Sequence, residues 1–274
     1  MNSGGILNLQ KETVEKVVAI LQQYSSVIAV YLTGSMADNT NTPFSDIDMV
    51  AIFDTDDRVG REDIFREVER LYTLMSSLWV YDVDGLFLYE NGIRLDLSLV
   101  KPSEFQKWSI KNVKILFDKQ SVVANRLKSP GSGDKVIKPK WNNDEGVFLD
   151  WFFWMFRQVY CWTKQSELKK EKRFNKLYNA QTSLASIREK IIEMALFVYG
   201  KWEYMSVFDS KLTCQLEETF TSLEEQKILI ATRKLLDIYA EVANLYCSKT
   251  GDIFPREKIE KMKTMFDDFD LLKS

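Results

Sequence analysis

The sequence predicts an α+β protein: a mixed-sheet domain followed by an α-helical bundle. Three observations carry this. Segments in which apolar and polar residues alternate fall between Val30 and Asp118. Loop composition peaks at Ser129-Pro130-Gly131-Ser132-Gly133-Asp134-Lys135. After that break the apolar residues recur at helical spacing. The expected boundaries are a sheet domain over 1–128, a linker over 129–144 and a helical domain over 145–274.

In chain order, residues 9–24 read as an opening helix with Val14, Val17, Val18 and Leu21 on one stripe. Val30-Tyr31-Leu32-Thr33-Gly34-Ser35 is a strand running into a tight Gly-Ser turn, and residues 46–53 form the next strand. Side chains alternate along a strand, so Asp46 and Asp48 share a face. Residues 61–78 read as an amphipathic helix buried through Ile64, Phe65, Val68, Leu71, Tyr72 and Met75. Asn91-Gly92 between apolar runs predicts a type I′ hairpin pairing 81–89 with 93–100. In the second of these strands Ile93, Leu95, Leu97 and Leu99 face away from Asp96. Pro102 ends that strand, a short helix is expected over 103–109, and 114–118 is a further strand.

The second half reads as helices over 145–163, 174–199, 222–247 and 254–269, with short helical turns at 205–208 and 216–220. In the third of the long helices, Ile228, Leu229, Ala231, Leu235, Ile238, Tyr239, Val242 and Leu245 mark an inward face. The run Trp151-Phe152-Phe153-Trp154-Met155-Phe156 puts Trp151, Trp154 and Met155 on one side and Phe152, Phe153, Phe156 and Tyr160 on another. Core packing accounts for most of these rings; the excess is available to line a ligand cleft. The charged run Lys169-Lys170-Glu171-Lys172-Arg173 reads as a solvated loop or helix start.

Composition removes several function classes. The chain has 274 residues, 45% of them hydrophobic and 13% aromatic, enough for real cores. The net charge of −3 lacks the basic footprint of a nucleic-acid binder. Between Asp38 and Asp96 there are 14 Asp/Glu against 5 Lys/Arg, a local balance of −9, which favours a cationic small molecule over a polynucleotide. There is no histidine, so Ser-His or Cys-His nucleophiles and His-ligated metal sites are excluded, and a base must be Asp, Glu, Lys, Tyr or water. Cys161, Cys214 and Cys247 are odd in number and widely spaced, which fits reduced thiols of a cytoplasmic protein. The start lacks signal-peptide character, and the most apolar stretch, 147–156, holds Asp150 and is too short for a bilayer. No membrane partner is expected. Gly131-Ser132-Gly133 with Lys135 lacks the strand and the Gly-Lys-Ser/Thr ending of a phosphate loop.

Chemistry concentrates elsewhere. If the strands bearing Asp46, Asp48 and Asp96 are neighbours, three carboxylates converge at one sheet end. Such a patch suits Mg²⁺, which takes oxygen ligands from one or two carboxylates plus substrate phosphates. Two such ions roughly 4 Å apart stabilise the attacking and leaving oxygens of an in-line displacement. Gly34 lets the backbone pass close to a phosphate without a Cβ, and Ser35 offers a hydroxyl and an N–H to the same oxygens.

Gly34-Ser35, the eleven residues from Ser35 to Asp46, the Ser45-Asp46-Ile47-Asp48 segment and the later strand Asp96 resemble the nucleotidyltransferase superfamily of the DNA polymerase β-like fold. The two-domain layout is most similar to bacterial antibiotic nucleotidyltransferases of the streptomycin 6-adenylyltransferase and lincosamide nucleotidyltransferase types. The motif resemblance spans residues 27–100. It implies transfer of a nucleoside monophosphate, AMP foremost, from ATP or another nucleoside triphosphate to the hydroxyl of an aminoglycoside- or lincosamide-like acceptor. It also implies Asp46, Asp48 and Asp96 as ligands of two Mg²⁺ ions, with Gly34, Ser35 and Ser45 at the nucleotide. In such two-domain enzymes an acid of the helical domain serves as base. Asp150 is the favoured candidate, because burial raises a carboxyl pKa, and Glu145 the alternative. Transfer to a protein side chain, a non-catalytic nucleotide sensor, an RNA-tailing activity and a homodimer stay open at this point.

Overall fold

The computed structural model describes residues 3–54, 58–80, 84–106, 108, 110, 112–128, 145–199 and 210–272. The chain divides into two compact units, Met1–Asn143 and Asp144–Ser274. The expected linker over 129–144, the short helical turn over 205–208 and residues 81–83 of the expected hairpin lie outside the described residues.

The first unit opens with helix α1 (Ser3–Gln23), which buries Val14, Val17 and Leu21 and leaves Val18 half-buried. Strand β1 (Val27–Leu32) runs into a four-residue helical turn α2 (Gly34–Ala37), and β2 (Ile47–Phe53) follows. Helix α3 (Arg58–Glu69) ends sooner than its apolar spacing implied, and Leu74–Val80 is strand β3. The physical reason is tertiary. Met75, Ser76 and Leu78 are buried in a strand that pairs antiparallel with β4 (Asp84–Tyr89), and strand partners outweigh a helical period that happens to continue.

Strand β4 turns into β5 (Arg94–Val100), followed by α4 (Pro102–Phe105), shorter than expected, then β6 (Lys114–Asp118) and α5 (Val122–Lys128). The β4–β5 turn is not type I′, which requires positive φ at both central residues. Among residues 90–92 only Gly92 has positive φ, 83°. Gly92 N–H donates to the Tyr89 carbonyl and Tyr89 N–H to the Ile93 carbonyl, each at 3.0 Å, so the loop has three residues ending in a left-handed glycine.

The six strands are ordered β3-β4-β5-β2-β1-β6, with β2 and β5 parallel and every other pair antiparallel. One face is closed by α3, whose Phe65 packs on Phe87 and Trp79. At one end of the other face, Tyr31, Val50, Ile52 and Val100 pack with Phe105 and Val123.

The second unit is helical: α6 (Glu145–Leu168), a 3-10 turn (Lys170–Lys172), α7 (Arg173–Tyr199), α8 (Ser210–Glu217), α9 (Glu225–Thr250) and α10 (Arg256–Leu271). The aromatic run of α6 forms its core. Phe152, Phe153, Phe156 and Tyr160 are fully buried; Phe152 meets Tyr239 of α9 at 4.4 Å between ring centroids, and Tyr160 stacks on Phe266 of α10 at 4.3 Å. Leu245, expected inward, is 44% exposed; Ala243 and Cys247 are buried on α9 instead. The 216–220 segment is helical earlier than expected, over Ser210–Glu217. Gly251, with φ 85°, closes α9 by donating its N–H to the Cys247 carbonyl. Among the described residues no helix is long and apolar enough to cross a membrane.

Candidate active site

The parallel pairing of β2 with β5 places Asp48 directly opposite Asp96, and paired residues present their side chains on the same face. Asp46 precedes β2 by one residue and reaches the same point: one carboxylate oxygen from each of Asp46, Asp48 and Asp96 lies within 4.8 Å of the other two. All three side chains are half-buried. Hard oxygen donors converging at this spacing match the donor set of Mg²⁺, so the residues present fit a divalent ion.

Arg94, on the same face two residues before Asp96, is 5% exposed. Its Nε donates to Asp96 Oδ1 at 2.8 Å, its Nη2 donates to Asp96 Oδ2, and its Nη1 stands 3.4 Å from Asp46 Oδ2. Burial alone would pull the guanidinium down, but the charges of Asp96 and Asp46 outweigh it and hold Arg94 above its ordinary value. The fork fixes the Asp96 carboxylate in orientation before any ion arrives, while Nη1 faces Asp46 as an ion pair.

Gly34 begins α2 with φ 60°, and a Cβ built there would sit 2.6 Å from Asp48 Oδ2. The absent side chain therefore makes room for the Asp48 carboxylate itself, and Thr33 N–H donates to the Asp48 carbonyl at 3.0 Å to lock the two segments together. Ser35 is half-buried in the same helical turn, its carbonyl accepting from Thr40 N–H at 2.9 Å. Ser45, expected at the nucleotide, is 2% exposed. Its hydroxyl accepts from Thr42 N–H at 2.9 Å and so closes the 42–45 turn that delivers Asp46.

Two supports were not read from the sequence. Gln10 of α1 is fully buried and donates through Nε2 to the carbonyls of Thr42 and Ser45 at 3.0 and 3.1 Å, while its Oε1 accepts from Asn41 Nδ2 at 2.8 Å. It ties the loop before Asp46 to the first helix. Nothing in the sequence marks it, because its partners stand more than thirty residues away. Arg94 did carry a signal: Arg-x-Asp within a strand places the two side chains on one face.

Asp150 belongs to the second unit. Its Oδ1 accepts from Lys258 Nζ at 2.6 Å, and the neighbouring Leu149 carbonyl accepts from the Tyr239 hydroxyl at 3.3 Å. Burial pushes the Asp150 carboxyl above its ordinary value, against the opposing pull of Lys258. Glu145 is the first residue of α6.

Residues 15–121 match the family model described as polymerase beta, nucleotidyltransferase. The sheet unit resembles this family. The matched span runs from α1 to the end of β6 and includes Asp46, Asp48 and Asp96, so the nucleotidyltransferase-like segment and the acidic cluster coincide. Among solved structures, an aminoglycoside 6-adenyltransferase from Bacillus subtilis aligns at 13% identity over 96% of this chain and 98% of that one, with a TM-score of 0.34. A STING-associated CdnE c-di-GMP synthase from Capnocytophaga granulosa aligns at 13% identity over 88% and 83%, TM-score 0.28. The Bradyrhizobium diazoefficiens CD-NTase CdnG in complex with GTP aligns at 12% identity over 93% and 84%, TM-score 0.25. No curated protein matches the sequence.

Proposed function

We propose that the protein transfers a nucleoside monophosphate, AMP foremost, from a nucleoside triphosphate to a hydroxyl of a small-molecule acceptor, with an aminoglycoside- or lincosamide-like antibiotic as the acceptor class. The observation that carries the reading is the convergence of Asp46, Asp48 and Asp96 within the nucleotidyltransferase-like segment. These three carboxylates would hold Mg²⁺, two ions in the full site, which when bound neutralises phosphate charge and polarises the α-phosphate. Gly34 and Ser35 would face the triphosphate, with Ser45 acting through the turn that sets Asp46.

The reaction breaks one bond and makes one. The acceptor oxygen bonds to the α-phosphorus, the bond from that phosphorus to the β-phosphate bridging oxygen breaks, and pyrophosphate leaves. The acceptor's proton passes to a carboxylate, for which we propose Asp150, whose burial favours holding a proton. The enzyme does little covalent work, so positioning and charge supply most of the acceleration.

The test is Mg²⁺-dependent pyrophosphate release from ATP and GTP against a panel of aminoglycosides and lincosamides, with a protein mixture and RNA as alternative acceptors. Release that requires an antibiotic and stops with a chelator supports the reading. Release driven by protein or RNA, or none with any acceptor, rejects it.

A further inference from the structure

The three acidic side chains of the site are not held in the same way. Asp48 and Asp96 stand inside β2 and β5, where the parallel register fixes them opposite each other. Asp46 lies one residue before β2 and outside that register, so its place depends on the loop that precedes it. Within that loop the bonds are local. Thr40 N–H donates to the Ser35 carbonyl at 2.9 Å, Ser45 N–H to the Thr42 carbonyl at 3.0 Å, and Thr42 N–H to the Ser45 hydroxyl at 2.9 Å. Such bonds shape a turn without setting where it sits against the sheet.

Gln10 supplies that second constraint from α1. It is 0% exposed, and both polar atoms of its amide bond to this loop: Nε2 donates to the Thr42 and Ser45 carbonyls and Oε1 accepts from the Asn41 side chain. The Ser45 carbonyl shares its peptide plane with the Asp46 Cα, so a bond to that oxygen fixes the plane from which the Asp46 side chain starts. A buried amide used in this way is costly to shift, because each abandoned partner is left without a bond away from water. Thr13, three residues on along the same helix face, is equally buried. Its hydroxyl donates instead to the Leu9 carbonyl at 2.7 Å and meets the Tyr72 hydroxyl at 3.2 Å. Thr13 thus holds the connection between α3 and β3, and Gln10 the approach to Asp46.

We propose that Gln10 is a positioning residue for the metal site, and that by pinning Asp46 it tunes the site to Mg²⁺ over the larger Ca²⁺. This rests on the nucleotidyl-transfer reading and deepens it. Gln10 acts through the Ser45–Asp46 peptide. Mg²⁺ demands near-ideal octahedral geometry, whereas Ca²⁺ accepts flexible, irregular shells. A loosened Asp46 therefore costs Mg²⁺ more than it costs Ca²⁺.

The test is calorimetric titration of Mg²⁺ and of Ca²⁺ into the full-length chain, for wild type, Gln10→Met, Thr13→Val and Asp46→Asn. Gln10→Met keeps the length of the side chain and removes its bonds. It should lower Mg²⁺ affinity about tenfold, the low end for a group that orients a metal ligand, and lower Ca²⁺ affinity by less. Thr13→Val should keep the wild-type ratio of Mg²⁺ to Ca²⁺ affinity even where it lowers the melting temperature. Asn41→Ala removes the bond to Gln10 Oε1 from a half-buried position. It should shift the ratio the same way by a smaller factor, and it decides the matter if Gln10→Met does not fold. An unchanged ratio in Gln10→Met, or the same fall in Thr13→Val, overturns the positioning role and leaves the nucleotidyl-transfer reading standing. Equal Mg²⁺ binding by wild type and Asp46→Asn sinks the metal site, and the nucleotidyl-transfer reading with it.

Discussion

In the helical unit Asp150 stands against Lys258, Glu225 against Arg173, Glu218 against Lys234, and Asp267 with Asp270 against Arg233 with Lys164. In the sheet unit, among the described residues, the Arg94 guanidinium serves both Asp46 and Asp96, and Asp48 sits within 4.8 Å of both. Counted over these four described side chains alone, three carboxylates and one guanidinium sum to a formal −2, whereas a one-to-one pair sums to nothing. The contrast separates two uses of acidic residues. Matched pairs at a surface add little stability and demand no further ion. A half-buried surplus of two negative charges costs desolvation and repulsion unless a divalent cation completes it. The fold accepts that cost in the unit whose sequence matches nucleotidyltransferases.

The sharpest way to break this comparison is to remove one charge from the surplus. Asp48→Asn is expected to lower nucleotidyl transfer by about 10⁴-fold, since divalent-ion stabilisation supplies several kcal/mol of the barrier reduction. The melting temperature without metal should hold or rise, because a like charge is relieved. Pyrophosphate release and thermal denaturation with and without Mg²⁺ check both halves. Near-normal turnover would show that the surplus is not a metal site.

Gly34→Ala sharpens the same point through geometry. The new Cβ meets Asp48 Oδ2 at 2.6 Å on a backbone with φ 60°, so the carboxylate must move, and the left-handed conformation costs a further 1–2 kcal/mol or so. A displacement near an ångström at a catalytic group is worth about 10²-fold. Turnover should fall by that order, with a raised Mg²⁺ requirement and a lower melting temperature. A variant with wild-type metal dependence would show that Asp48 tolerates the shift.

The same contrast explains what the sequence made legible. Asp46, Asp48 and Asp96 could be brought together on paper because strand alternation is local and the parallel neighbour relation needed only one assumption. The bundle was legible in kind from its helical spacing, and Phe152, Phe153, Phe156 and Tyr160 are the core that this spacing implied. The failures are tertiary or rest on a single dihedral. Helix 61–78 overshot because Met75 kept the helical period although its segment pairs with β4. The hairpin type missed because Asn91 spends its Oδ1 accepting from Ile93 N–H at 3.0 Å, a local turn that needs no positive φ. For Ser45, a serine before Asp-x-Asp does not reveal from sequence that its hydroxyl closes the 42–45 turn. Gln10 was invisible because its role exists only once α1 and the 41–45 loop are together.

The smallest expected effects come from the matched side of the comparison, the Asp150–Lys258 pair. If Asp150 takes the acceptor's proton, it must be ionised to act, so turnover falls as pH drops through its pKa, which burial holds above the ordinary aspartate range. Asp150→Asn should cost about 10²-fold at neutral pH, the low end of what a positioned base supplies, and should flatten that acid limb. Lys258→Met removes the group that pulls Asp150 down, so the limb moves to higher pH while the plateau stays within a few-fold of wild type. Stability must follow the opposite sign. A carboxyl raised in the folded state contributes most favourably below its unfolded pKa and loses that contribution as pH rises through the folded value. Asn stands in for the protonated carboxyl, so Asp150→Asn should leave the melting temperature unchanged or higher at neutral pH and close to wild type in acid. An acid limb that survives in Asp150→Asn assigns the base to another group and reduces Asp150–Lys258 to what its one-to-one pairing already resembles, a structural tie between α6 and α10.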